Sequence, residues 1–209
     1  MFKILQKKTL NENVKMMVVD APHVARKAEP GQFIILRVNE DGERIPLTIA
    51  DYDREKGTVT IIFQEVGKTT MLLGALEEGD FILDFVGPLG KASHFDGNVK
   101  KAVVIGGGLG TAIAYPQAKK LHTMGVSVDV ITGFRNKDLI ILEDEMKKVS
   151  DRLFVTTDDG SNGNKGFVTD MLKKLIDEGN KYDLVIAIGP LIMMKYVSSL
   201  TKPYGIKTI

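Results

Sequence analysis

The sequence contains no cysteine. That excludes disulfides, thiolate metal sites, cysteine nucleophiles and cysteine-ligated iron–sulfur clusters within these 209 residues. Histidine is nearly as scarce. His23, His94 and His122 are far apart and lack metal-ligand spacing, so they read as surface or packing residues and no metal site is expected. Excess charge is missing too: 28 basic against 27 acidic side chains leave a net charge of +1, too small a field to draw the chain onto nucleic acid or anionic lipid. No apolar run approaches the roughly 20 residues that span a bilayer. Met1–Asn11 carries Lys3, Lys7 and Lys8 with no signal-type apolar core after them. A cytoplasmic protein with neither a nucleic-acid nor a membrane partner is therefore expected. There is no low-complexity tract, and 44% hydrophobic with 26% charged residues is the composition of a folded globular chain.

What is present falls into two rhythms. From Phe2 to about Asp96, short runs of β-branched, aliphatic and aromatic residues alternate with turn residues. The runs Phe2–Lys8, Val14–Asp20, Phe33–Asn39, Pro46–Tyr52, Thr58–Gln64 and Asp80–Val86 read as strands. Six of them predict an antiparallel Greek-key barrel, interrupted by one short helix at Thr69–Leu76. After Asn98, apolar runs at Ala102–Ile105, Val126–Ile131, Leu153–Thr156 and Leu184–Ile188, with a last one near Ile206, alternate with helical periods at Gly110–Met124, Leu139–Val149, Thr169–Glu178 and Pro190–Leu200. That alternation predicts a doubly wound parallel sheet. The expected domains are residues 1–97 and 98–209, joined at the linker-like His94-Phe95-Asp96-Gly97-Asn98.

The strongest local signal runs from Val103 to Ala112, where a buried-type strand enters Gly106-Gly107-Gly108-Leu109-Gly110-Thr111 and then a helix. Glycines let a backbone approach a pyrophosphate, and the free amides and positive end of a helix N-terminus face its charge. The G-x-G-x-x-G fingerprint is incomplete, because Thr111 holds its last position, and no acidic residue closes the second strand at Thr132-Gly133-Phe134. A glycine turn that serves only tight packing stays open as the alternative.

Two further segments carry weaker signals. In Arg44-Ile45-Pro46-Leu47-Thr48 an arginine can pair with a phosphate, a proline can set an edge strand against a flat ring, and a threonine hydroxyl can bond a ring nitrogen. Taken alone it reads rather as a strand with a solvated arginine. Val66-Gly67-Lys68-Thr69-Thr70 offers amides and hydroxyls before a helix and imitates the end of a Walker A loop. A P-loop would need glycine at Ile62 and a parallel sheet, and Gly87-Pro88-Leu89-Gly90-Lys91-Ala92 fails in the same way at Phe85 and Ala92. An NTPase is not expected.

The order of these segments, with Gly87–Gly90 between them and Gly189-Pro190 at the end, resembles the ferredoxin-NADP reductase superfamily over nearly the whole chain. The likeness is greatest to the electron-transfer subunit of dihydroorotate dehydrogenase and to the small subunit of the bifurcating NADH-dependent ferredoxin:NADP oxidoreductase. The resemblance implies an FAD-dependent NAD(P)H oxidoreductase subunit. Arg44 would bind the FAD pyrophosphate, Ile45, Pro46 and Leu47 would accompany the flavin, and Thr48 would sit near its reactive nitrogen as the catalytic-site residue. Gly67, Lys68, Thr69 and Thr70 would complete the FAD site. Gly106, Gly107, Gly108, Leu109, Gly110 and Thr111 would receive NAD(H) or NADP(H), with Asp159, Gly160 and Ser161 on the adenosine side and Gly189 and Pro190 near the nicotinamide. The implied partner is a larger flavoprotein subunit in a hetero-oligomer.

Two departures bear on these expectations. Ile113 stands where many relatives have proline, a small change. The two nearest groups continue into a cysteine-rich [2Fe–2S] segment, so that cluster is expected only in a C-terminal segment absent here, and the sequence reads as a cropped piece of a longer product. Arg135 and Lys137 leave the choice between NAD and NADP open. A non-catalytic dinucleotide-binding module without flavin is the competing reading.

Overall fold

Period-two alternation sets the N-terminal core. Met17 and Val19, Ile34 and Leu36, and Val59, Ile61 and Phe63 are buried, and with Ile4, Ile49, Leu73, Ile82 and Phe85 they form one apolar cluster. A computed structural model describes residues 1–209. Two units are distinct in it, Met1–Ser93 and His94–Ile209.

The first unit contains β1 (Phe2–Asn11), β2 (Val14–Asp20), α1 (Pro22–Ala25), β3 (Phe33–Arg37), β4 (Ile45–Asp53), β5 (Thr58–Gln64), α2 (Lys68–Gly74), β6 (Phe81–Ile82) and β7 (Asp84–Leu89). All its pairings are antiparallel, in the order β6-β1-β2-β5-β4-β3-β7. The return of β5 to lie beside β2 is the Greek-key step. The sequence reading expected six strands, but the last divides at Leu83. Phe81 and Ile82 pair with β1 at one edge of the sheet, and from Asp84 the chain pairs with β3 at the other, so the divided strand links both edges and nearly closes the barrel. The turn α1 was not anticipated. Pro22 pre-sets its first helical φ, and Val24 and Ala25 anchor it in the core.

The second unit contains β8 (Lys101–Gly107), α3 (Gly110–Thr123), β9 (Ser127–Phe134), α4 (Glu143–Lys148), β10 (Arg152–Thr157), α5 (Val168–Asp177), β11 (Leu184–Ile188), α6 (Leu191–Thr201) and β12 (Lys207–Thr208). The parallel sheet runs β10-β9-β8-β11-β12. Both faces are covered. Ala114, Ala118 and Leu121 of α3 and Met146 of α4 pack on Ala102, Val104, Val128 and Val130, while Leu172 and Leu175 of α5 and Val197 of α6 pack on Val103, Ile105, Ile131 and Val185. The helix expected at Leu139–Val149 is shorter than predicted. A 3-10 turn at Lys137–Leu139 precedes it, and α4 starts only after Leu142, whose φ of +58° interrupts the helical run.

A polar network ties the N-terminal ends of these strands together. Asp129 of β9, 1% exposed, accepts from Arg152 Nε at 2.8 Å, Arg152 Nη2 at 2.6 Å and the Tyr182 hydroxyl at 2.6 Å. Lys101 Nζ stands 3.9 Å away. Burial pushes the Asp129 carboxyl up, but the hydrogen bonds from Arg152 and Tyr182 and the charges of Arg152 and Lys101 outweigh it and hold the group below its ordinary range. Burial and the Asp129 bond push the Tyr182 phenol upward.

Candidate functional site

In the first unit the site is built where two neighbouring strands part. The ladder between β4 and β5 covers Asp53↔Thr58 to Ile49↔Ile61 and stops there. Upstream of Ile49, residues Ile45–Thr48 pair only with β3, as Leu36↔Ile45, Ile35↔Pro46, Ile34↔Leu47 and Phe33↔Thr48. Downstream of Ile61, β5 pairs only with β2 before entering Val66–Thr70. Arg44–Thr48 and Val66–Thr70 therefore continue the two strands on either side of one opening, although about twenty residues separate them in sequence. Pro46 fits an edge left unpaired, since it has no amide to give. Arg44, Pro46, Gly67 and Lys68 are exposed, Ile45, Leu47, Thr48 and Thr70 are half-buried, and Thr69 is buried.

Within this opening the residues have separate tasks. The Arg44 side chain is 62% exposed, with Nη2 3.4 Å from Asp84 Oδ2. The Thr70 hydroxyl accepts from the amides of Val66 and Gly67, both at 3.0 Å, and donates to the Gly67 carbonyl at 2.9 Å. Its capacity is thus committed to the loop itself. A Cβ at Gly67 would meet nothing within 4 Å, so the backbone there faces open space, which suits the approach of a large ligand.

In the second unit the strand order reverses between β8 and β11, and crevices for ligands form at the C-terminal ends of strands flanking such a switch. Gly106–Thr111 follows β8 and Gly189-Pro190 follows β11, and the structure brings these two segments into contact. A Cβ on Gly107 would lie 2.5 Å from Met193 Sδ and 3.0 Å from Pro190 Cδ. A Cβ on Gly110 would lie 2.4 Å from the Ile188 carbonyl oxygen. Gly108, at φ +54°, faces open space, and its amide donates to the Gly133 carbonyl at 2.9 Å. The turn thus packs tightly on one side and is open on the other. Packing and nucleotide binding are compatible uses of the same glycines.

One buried polar atom at this turn has no partner. The Thr111 hydroxyl, at the start of the 14-residue helix α3, is buried without a hydrogen-bond partner. Leu109 is half-buried beside it. At the edge of the sheet, Asp159 and Ser161 are exposed and Gly160 is half-buried. The Lys137 amide donates to Ser161 Oγ at 2.7 Å, and the Ser161 amide donates to Asp159 Oδ1 at 2.9 Å, which ties the loops after β9 and β10 together. Hydrogen bonds from Ser161 hold the Asp159 carboxyl below its ordinary range. The Met193 thioether rests on both Gly107 and Gly189.

The chain matches the oxidoreductase FAD-binding domain family over residues 1–94. It is 44% identical to the dihydroorotate dehydrogenase B (NAD(+)) electron transfer subunit homolog of Thermotoga maritima, over 98% of this chain and 71% of that protein. The chain belongs to the family of dihydroorotate dehydrogenase electron transfer subunits. Another member, the dihydroorotate dehydrogenase B (NAD(+)) electron transfer subunit of Fusobacterium nucleatum, is 36% identical over 90% of this chain and 76% of its own length. A solved structure of an NADH-dependent reduced ferredoxin-NADP oxidoreductase, described for flavin-based electron bifurcation, superposes with a TM-score of 0.90 at 43% identity, over 99% of this chain and 74% of that one. As a member of this electron transfer subunit family, the chain carries an FAD-binding oxidoreductase domain in its N-terminal unit. No helix is long and apolar enough to cross a membrane.

Proposed function

We propose that this chain is the electron-transfer subunit of a cytoplasmic hetero-oligomer, passing reducing equivalents between a pyridine nucleotide and FAD and on to a larger flavoprotein. The observation that carries the reading is the opening between β4 and β5, flanked by Arg44–Thr48 and Val66–Thr70. Arg44 would meet the diphosphate through paired guanidinium hydrogen bonds. Ile45, Pro46 and Leu47 would lie along the flavin, and Thr48, at the inner end of the unpaired edge, would face its reactive nitrogen as the catalytic residue. Gly67, Lys68 and Thr69 would complete the phosphate and ribose site, which Thr70 keeps in shape.

FAD supplies the two-electron acceptor that a nicotinamide hydride requires, and the protein contributes binding, orientation and exclusion of water. Gly106–Thr111 would hold the dinucleotide phosphates on the open side of the turn at Gly108, with the N-terminus of α3 facing their charge. Asp159, Gly160 and Ser161 would border the adenosine, and Gly189-Pro190 the nicotinamide. On this reading the domain with the FAD site covers residues 1–97 and the dinucleotide domain 98–209. That the relatives are electron transfer subunits supports a partner subunit, which we take to be the larger flavoprotein.

The test is reconstitution with FAD, removal of the excess, and an anaerobic titration with NADH and then NADPH followed in the visible spectrum. Retained flavin that bleaches with either nucleotide supports the reading, and the more effective nucleotide identifies the preference. A protein that retains no flavin would be a nucleotide-binding module instead.

A further inference from the structure

Arg44 is one of three charged side chains in line across adjacent strands. Arg37 ends β3, and the pairing of Leu36 with Ile45 sets it beside Arg44 at the mouth of β4. On its other side Arg37 pairs with Asp84, the first residue of β7. One oxygen, Asp84 Oδ2, accepts from Arg37 Nε at 2.7 Å and stands 3.4 Å from Arg44 Nη2. Arg37 is also held by the Glu40 carbonyl, 3.5 Å from Nη1. The burial is graded: the Arg37 side chain is 24% exposed, Asp84 31% and Arg44 62%.

Two guanidinium groups on adjoining strands repel each other, and a long exposed arginine samples many rotamers. A carboxylate between them removes the repulsion and limits where the outer arginine can point. Arg37 is fixed at two points and in turn fixes Asp84, while Arg44 holds only the longer, weaker contact. The Arg44 side chain is 62% exposed, which leaves its other donors open to solvent. A short strong pair thus orients a long weak one.

We propose that Asp84 is a positioning residue for the FAD diphosphate: anchored by Arg37, it pre-orients Arg44 for a phosphate without touching the ligand itself. This inference rests on the assignment of Arg44 to the FAD site. Arg37 serves as the inner anchor and not as a second phosphate ligand.

The test is a double-mutant cycle on the FAD dissociation constant, measured by titrating FAD-free protein, with the thermal midpoint of each FAD-free variant recorded alongside. Asp84→Ala weakens FAD binding about three- to tenfold while Arg44 is present, and has no further effect in the Arg44→Ala background, because coupled neighbours are non-additive. Asp84→Glu recovers part of the loss. An Asp84→Ala effect of equal size in both backgrounds would mean that Asp84 acts independently of Arg44, and unchanged or tighter binding would mean that it does not orient it; either overturns the proposal. If Arg44→Ala alone leaves FAD binding intact, the assignment of Arg44 is what fails.

Discussion

Gly110 stands so close to the Ile188 carbonyl that a Cβ at position 110 would lie 2.4 Å from the oxygen. Backbone at the end of β11 cannot yield as a side-chain tip can. Gly110→Ala should destabilise the second unit by about 1–3 kcal/mol, the usual cost of overpacking, and should abolish pyridine-nucleotide binding. Gly67→Ala, which enters open space at an extended φ of −157°, should change stability by no more than about 0.5 kcal/mol. Urea unfolding of the two variants checks the contrast.

The loop before α2 depends on one hydroxyl. Thr70→Ala leaves the Val66 and Gly67 amides without their acceptor, a loss of about 1 kcal/mol by analogy with helix caps. FAD affinity should fall several-fold in Thr70→Ala and be retained in Thr70→Ser, as read by flavin fluorescence.

Asp129 predicts an acid-sensitive fold. Its native pKa is lowered, so the unfolded chain binds the proton more readily. The stabilisation is complete above the ordinary carboxylate pKa of about 3.9 and is lost as pH falls through the lowered native value. Asp129→Asn should cost about 1–3 kcal/mol at neutral pH, since Tyr182 and Arg152 lose a charged acceptor but Arg152 can still reach water. It should also flatten the decline in denaturation midpoint as pH falls below the ordinary carboxylate pKa. An unchanged slope in the variant would place the acid sensitivity elsewhere.

At the adenosine side, Asp159 is an ionised carboxylate at neutral pH, and hydrogen bonds from Ser161 lower its pKa further. A fixed negative charge there disfavours a 2′-phosphate. Asp159→Asn should therefore lower the KM for NADPH relative to that for NADH, with little change in kcat. A ratio of the two KM values that stays constant would remove Asp159 from nucleotide selection.

The barrel-then-sheet architecture was legible in the sequence because it follows from periodicity, which is local. Val14–Asp20 and Thr58–Gln64 alternate every second residue, and Val103–Ile105 enters its glycines and a helix within ten residues. The order of the motifs likewise carried the family resemblance. Less legible were features with weak local signals: the single turn at Pro22–Ala25, the break at Leu83, and the positive φ of Leu142.

The order and types of residues are enough to show which segments have the chemistry for a phosphate or a flat ring. What each residue does with its polar atoms depends on the folded chain. Thr70 has its hydroxyl committed to its own loop, while Thr111 has none of its capacity used. Arg37 meets Asp84 across 47 positions, and Tyr182 meets Asp129 across 53. Such partners are chosen by strand register and by the point where β4 leaves β5, and both arise from packing between residues distant in the chain, which leaves no periodic trace in the sequence.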